Sequence, residues 1–289
     1  PGQRRSDDPV GPVTRHDEDG VVDDVVEQVR HRQRRDLDVA DGPREVVGIT
    51  GDEFRAEALA GVDLRDPVWA IPEEPTLAGA HREAAMFLEV ADYFREQGVR
   101  VVNMSWGGSL RGIEQALEAN AAGGTPEERK VLAREIFAIT DEALRRAISE
   151  SDDILWITSA GNSDNDIRFD EFYPSSYDYP NLLTVGAVDS AGDETSFTSL
   201  GKVDVYGNGF EVESFVPGGD RIPFNGTSMS SPQVVNLAGK LLALHPQLSV
   251  SELKALIIEG SDERDLGDRT IRLVNPRATL ALADNSSNR

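Results

Sequence analysis

The sequence predicts an α/β fold, a doubly wound three-layer α/β/α arrangement around a mainly parallel sheet. Three observations carry that expectation. Short apolar runs of strand length alternate with longer segments of helical periodicity, the signature of βαβ units covered on both faces. Two capping boxes mark helix starts. Three polar loops follow expected strands, where sites in such sheets sit.

Each element has its own local reason. Arg82–Gln97 sets Ala84, Phe87, Leu88, Ala91 and Phe94 in an i, i+3, i+4, i+7 stripe, and Gly98 closes the helix as a C-cap. Val99–Met104 is a β-branched run short enough for a buried strand. Thr125-Pro126-Glu127-Glu128 supplies an N-cap, a proline at the first helical position and a capping-box glutamate, opening a helix to about Ser149. Ile154–Ser159 and Leu182–Val188 read as the next strands. Gly226–Leu244 reads as a loop running into a helix, with Pro232 as its fourth residue, where a missing N–H is tolerated. Ser249-Val250-Ser251-Glu252 is the second capping box, ahead of Leu253–Glu259. No repeat at solenoid spacing is present.

Composition bounds the function. A chain of 289 residues, 39% of them hydrophobic, can bury a sizeable core. No apolar run approaches the roughly 18 residues of a membrane helix, so no membrane partner is expected. The net charge of −23 repels phosphate backbones and argues against nucleic acid. Without cysteine there is no disulfide framework, thiolate metal site or cysteine nucleophile. The chain opens on Pro1 without a charged-then-apolar signal segment, so a processed or truncated start is expected.

Composition also breaks along the chain. From Pro1 to Gly48 there is no Ile, Phe, Tyr, Trp, Met or Lys, and Leu37 is the only leucine. Such a stretch has little with which to build a core. Three readings stand: a solvated extension, an out-of-frame translation of a GC-rich gene, and a charged helix over Val21–Arg35 with a poor valine stripe.

The chemistry concentrates in Asn103–Gly108, Ser159–Asn162 and Gly226–Pro232. A serine between a Gly-Thr turn and a helix start sits at the positive end of the helix dipole, beside N–H groups without intrahelical acceptors. An ordinary serine N-cap would also explain it, but Gly226-Thr227-Ser228-Met229-Ser230-Ser231-Pro232 is more elaborate than capping requires. This string resembles the nucleophile motif of the subtilisin-like serine proteases (subtilases), Gly-Thr-Ser-Met-Ala-x-Pro, with Ser230 where alanine is usual. Ala160-Gly161-Asn162 is similar to the family's Ala-Gly-Asn, and Val101–Gly108 to its Val-Val-Asn-Met-Ser-x-Gly-Gly. Leu182–Val188 and the Phe-Ser loop Thr195–Gly201 also match family text. The likeness covers roughly residues 72–283. It implies a serine endopeptidase with Ser228 as nucleophile and Asn162, with the Ser228 N–H, as oxyanion donors. It implies that Ser105, Trp106, Gly107 and Gly108 form one wall of the pocket for the P1 side chain, the residue before the scissile bond. Ser159, Ala160 and Gly161 form the other. The expected organisation is an atypical N-terminal segment over 1–71, a catalytic-domain portion over 72–283 and a tail over 284–289.

The family's Asp and His motifs are missing. The histidines are His16, His31, His81 and His245. His245 precedes Pro246 and reads as a helix-end cation, and His81 as a surface-helix residue. His16 and His31 follow Asp7 and Asp8 in the family order but without the surrounding glycines. Glu45-Val46-Val47-Gly48-Ile49 is the nearest echo of the histidine motif and puts Gly42 where the base belongs. A frameshift or truncation upstream of about residue 72 accounts for both the lost motifs and the changed composition. The neighbouring nucleotide sequence, read in the other frames, is then expected to encode Asp-x-Gly and His-Gly-Thr-His. The alternative is a catalytically silent subtilase fold that binds peptides without cleaving them. The acidic stretches Asp164–Glu171 and Asp189–Glu194 invite a calcium reading, as family members often bind calcium, but their spacing fits no specific loop. Solvated turns and no cofactor are the expectation. The expected partner is a peptide or protein substrate and the expected state a monomer. An extracytoplasmic or secreted location follows from family analogy alone.

Overall fold

The computed structural model describes residues 75–216 and 219–287. The 1–71 segment therefore lies outside the described residues, with its three readings, His16, His31, Asp7, Asp8, Gly42 and the Glu45–Ile49 echo. Helix α1, Leu77–Glu96, begins five residues before the expected Arg82 because Thr76 caps it, its side chain accepting from Gly79 N. Gly98, at φ +66°, turns the chain out of the helix in the left-handed region that glycine enters freely. Strand β1 is Val101–Met104, followed by β2, Gly108–Ser109, and α2, Leu110–Ala119. Helix α3, Pro126–Ser149, starts at the Thr125–Glu128 capping box with both reciprocal bonds formed. Strands β3 (Leu155–Ser159), β4 (Phe172–Tyr173), β5 (Leu182–Val188) and β6 (Val205–Asn208) follow. The hairpin β7 (Val212–Phe215) and β8 (Arg221–Phe224) leads into α4, Thr227–Leu244. Then come α5 (Val250–Glu259), β9 (Asp262–Asp265), β10 (Thr270–Leu273) and α6 (Pro276–Ser287). Helix α6 runs past residue 283, where the sequence suggests a tail.

The main sheet has six strands in the order β1-β3-β5-β6-β10-β9. All neighbours are parallel except β10 and β9. Strand alternation sorts its side chains into two cores. Val102, Met104 and Trp156 pack with α1, α2 and α3 on one face. Val101, Leu155, Ile157, Leu183 and Val185 pack with α4 and α5 on the other. This gives the expected three layers. The antiparallel edge strand β9 reads Asp-Glu-Arg-Asp, with no apolar period to announce it, and its charges guard the sheet edge. No helix among the described residues is long and apolar enough to cross a membrane.

Candidate active site

Three chain segments converge at the carboxyl ends of β1 and β3. Those strands pair in register, Asn103 with Ile157 and Met104 with Thr158, so the loops after them leave the sheet side by side. The amino end of α4 comes up beside both.

Ser228 is the second residue of α4, so its N–H has no acceptor within the helix. An 18-residue helix presents its positive end there. Two reciprocal bonds tie this turn to the β1 loop: Ser228 Oγ donates to Ser105 O at 3.1 Å, and Ser105 Oγ donates to Ser228 O at 2.9 Å. The second has a specific cause. Because α4 begins at Thr227, Pro232 is its sixth residue rather than the fourth, and its missing N–H leaves the carbonyl four residues back, Ser228 O, without a helical donor. The Ser105 hydroxyl fills that vacancy. Asn103 Nδ2 in turn donates to Ser105 Oγ at 3.0 Å, and Ser231 Oγ donates to Asn103 Oδ1 at 2.7 Å. Ser230, fully buried, satisfies its hydroxyl on Thr227 O at 2.9 Å.

Asn162 meets the same turn from the β3 loop. Its Oδ1 accepts from Thr227 N and from Thr227 Oγ1, both at 2.9 Å. Since a backbone N–H can only donate, the amide orientation is fixed with Nδ2 as the group left to donate. A methyl group on Gly226 would come within 3.2 Å of that Nδ2, so the glycine keeps space open in front of it. Thr227 Oγ1 also accepts Gly161 N at 3.1 Å.

The expected pocket walls differ in character. Ser159 and Ala160 are buried, and the Ala160 N–H donates to Val185 O at 2.9 Å. Gly161, at φ +114°, has no room for a methyl group, which would lie 2.9 Å from Ser199 Oγ. On the other side, Gly107 and Gly108 run beside β4, with Gly108 paired to Tyr173. The Trp106 indole stacks on Phe87 of α1, ring centroids 5.3 Å apart and planes 3° from parallel, and stays 42% exposed rather than joining the core.

Phe172 is a neighbour of both expected walls that sequence reasoning misses. A methyl group on Gly107 would lie 2.7 Å from its Cε1, and one on Gly161 would lie 3.6 Å from its Cζ. A two-residue strand has no periodicity to mark it, so nothing in the sequence announces that this ring stands between the walls.

Neither described histidine is the partner of the Ser228 hydroxyl, which donates to Ser105 O. His81 lies exposed in α1. His245 caps the far end of α4, about 25 Å from Ser228 at the helical rise, with Nε2 3.2 Å from Asp284 Oδ1. The hydroxyl's acceptor, Ser105 O, cannot take a proton. Carboxylates of the acidic stretches have partners within the chain. Asp166 is held by Arg168, Asp193 by Arg264 and Glu194 by Arg269. Asp189 Oδ1 accepts from the Ala191 and Asp193 amides, each at 2.9 Å. Among the described residues no group of three or more His, Cys, Asp or Glu side chains is arranged to hold a metal.

The model of the subtilase family matches residues 75–275. Subtilisin DY of Bacillus licheniformis is 30% identical over 185 residues, covering 63% of this chain and 65% of that protein. Alkaline elastase YaB of Bacillus sp. (strain YaB) is 30% identical over 230 residues, covering 72% of this chain and 59% of that protein. This chain thus spans less than two thirds of the length of either relative. In fold it is similar to the prenylagaramide maturation protease PagA, with a TM-score of 0.51 at 18% identity, covering 69% of this chain and 67% of that one. The chain belongs to the subtilase family.

Proposed function

We propose that the chain is the serine-bearing part of an endopeptidase that hydrolyses peptide bonds through an acyl-enzyme on Ser228. The observation that carries this reading is the joining of the Ser228 turn to the Asn162 carboxamide through Thr227. In the reaction, Ser228 Oγ bonds to the substrate carbonyl carbon while its proton passes to a base. The carbonyl π electrons move onto oxygen, where the Asn162 Nδ2 and the Ser228 N–H donate. Collapse breaks the C–N bond and the amine leaves with the proton. Water then repeats the sequence, releasing the acid and restoring the serine. The base comes from outside the described residues. In subtilisin itself the loss of an oxyanion-hole donor costs about 10²–10³-fold in kcat. The substrate is a peptide or protein, the working unit a monomer, and the location extracytoplasmic by likeness to the subtilisins.

A fluorophosphonate probe tests the reading, because it reacts only with an activated serine. Rapid labelling that maps to Ser228 and disappears in Ser228→Ala would support it. A folded full-length chain that stays wholly unreactive would instead make this a silent, peptide-binding subtilase fold.

A further inference from the structure

We infer that Phe172 is a specificity-determining residue that fills the P1 pocket, so that the site takes peptides with glycine, alanine or serine before the scissile bond. The inference rests on the endopeptidase reading and deepens it. Glycines at 107, 108 and 161 would by themselves leave a wide slot between two backbone walls. The β2–β4 ladder closes it. Pairing of Gly108 with Tyr173 and of Ser109 with Phe172 fixes both aromatic residues beside the glycine wall. Successive side chains on a strand point to opposite faces. Tyr173 turns into the core, its ring 5.3 Å from that of Phe137, so Phe172 is directed the other way.

The ring edge that results touches both walls. Its Cε1 and Cζ lie 2.7 and 3.4 Å from the position of a methyl group on Gly107, and Cζ lies 3.6 Å from one on Gly161. The space beside Gly107 and Gly161 is therefore occupied by Phe172, and that beside Gly108 by Tyr173, rather than open for substrate. A single misplaced methylene in a pocket already discriminates about 10–200-fold, and an aromatic side chain would have to displace a whole ring.

The test uses the full chain and two peptides identical except for alanine or phenylalanine at the P1 position, with binding measured by calorimetry. The wild-type protein is expected to bind the alanine peptide at least about tenfold more tightly. Phe172→Ala is expected to raise affinity for the phenylalanine peptide to parity or beyond. Equal binding of both peptides by the wild type, or an unchanged preference in the variant, overturns the inference. Binding of neither peptide by either protein also overturns it, and fluorophosphonate labelling of Ser228 in the same samples then shows whether the endopeptidase reading falls too. Should Phe172→Ala fail to fold by circular dichroism, Phe172→Leu takes its place, and the wild-type preference remains decisive by itself.

Discussion

Thr227 is fully buried and holds two residues of the β3 loop at once: its N–H and Oγ1 hold Asn162, and its Oγ1 accepts the Gly161 N–H. Replacing it with valine keeps the shape but removes both hydroxyl bonds. Thr227→Val should cost about 0.5–1.5 kcal/mol, the net worth of a hydrogen bond, because the Gly161 N–H it strands is only part-buried. Urea denaturation measures that loss. Asn162 keeps its bond from the Thr227 N–H, so probe labelling of Ser228 should slow by less than the roughly 10²–10³-fold cost of losing a whole donor. Unchanged stability and labelling would show that the hydroxyl positions nothing. Ser228 and Asn162 were legible in the sequence because each sits in a run whose polar and glycine content exceeds what a turn needs. Phe172 was not, because its role depends on which strand its neighbours pair with, and two residues carry no pattern.

Elements with a local cause could be read, and those set by tertiary pairing could not. The Thr125 and Ser249 capping boxes fixed the starts of α3 and α5 because their bonds close within one turn. Helix α4 starts two residues before the position the sequence suggests, and the carbonyl that Pro232 leaves without a helical donor is filled by the Ser105 hydroxyl, 123 positions away from Ser228 in sequence. Strands β9 and β10 pair with each other, and β10 with β6, through backbone, with charged or mixed side chains that signal nothing. The contact between α1 and α3 offers a test at this scale. Desolvation raises the Glu83 carboxyl above its ordinary 4.5, partly offset by Thr140 Oγ1, which donates to it at 3.2 Å. A carboxyl raised on folding binds more protons in the native state, so stability falls as pH climbs from 4.5 through the folded value. Glu83→Gln keeps an acceptor for Thr140 and removes the charge. It should raise the denaturation midpoint at about pH 7 and lose that advantage at about pH 4. An equal difference at both pH values would assign the effect to packing.

For the molecule as a whole, family membership could be reached from motif text because the three site loops keep their order, but the base that the serine needs lies beyond what the described residues hold. Charge is the other global property. With 52 acidic against 29 basic side chains the chain carries −23, and compaction brings those charges together. Opposing this repulsion are surface ion pairs that tie the Asp189–Glu194 loop to β9 and to the turn after it, Arg264 with Asp193 and Arg269 with Glu194. The more exposed of the two, Arg264 with Asp193, contributes about 0.2–1 kcal/mol. Salt screens attraction and repulsion alike, shortening the Debye length from about 30 Å at 0.01 M to about 8 Å at 0.15 M. The ion pairs act over a few ångströms and lose little, whereas repulsion summed over an excess of 23 charges acts at the longer distances that salt removes. The melting temperature should therefore rise between those two sodium chloride concentrations. A fall over the same range would mean that local pairs, and not net charge, dominate the electrostatics of the folded chain.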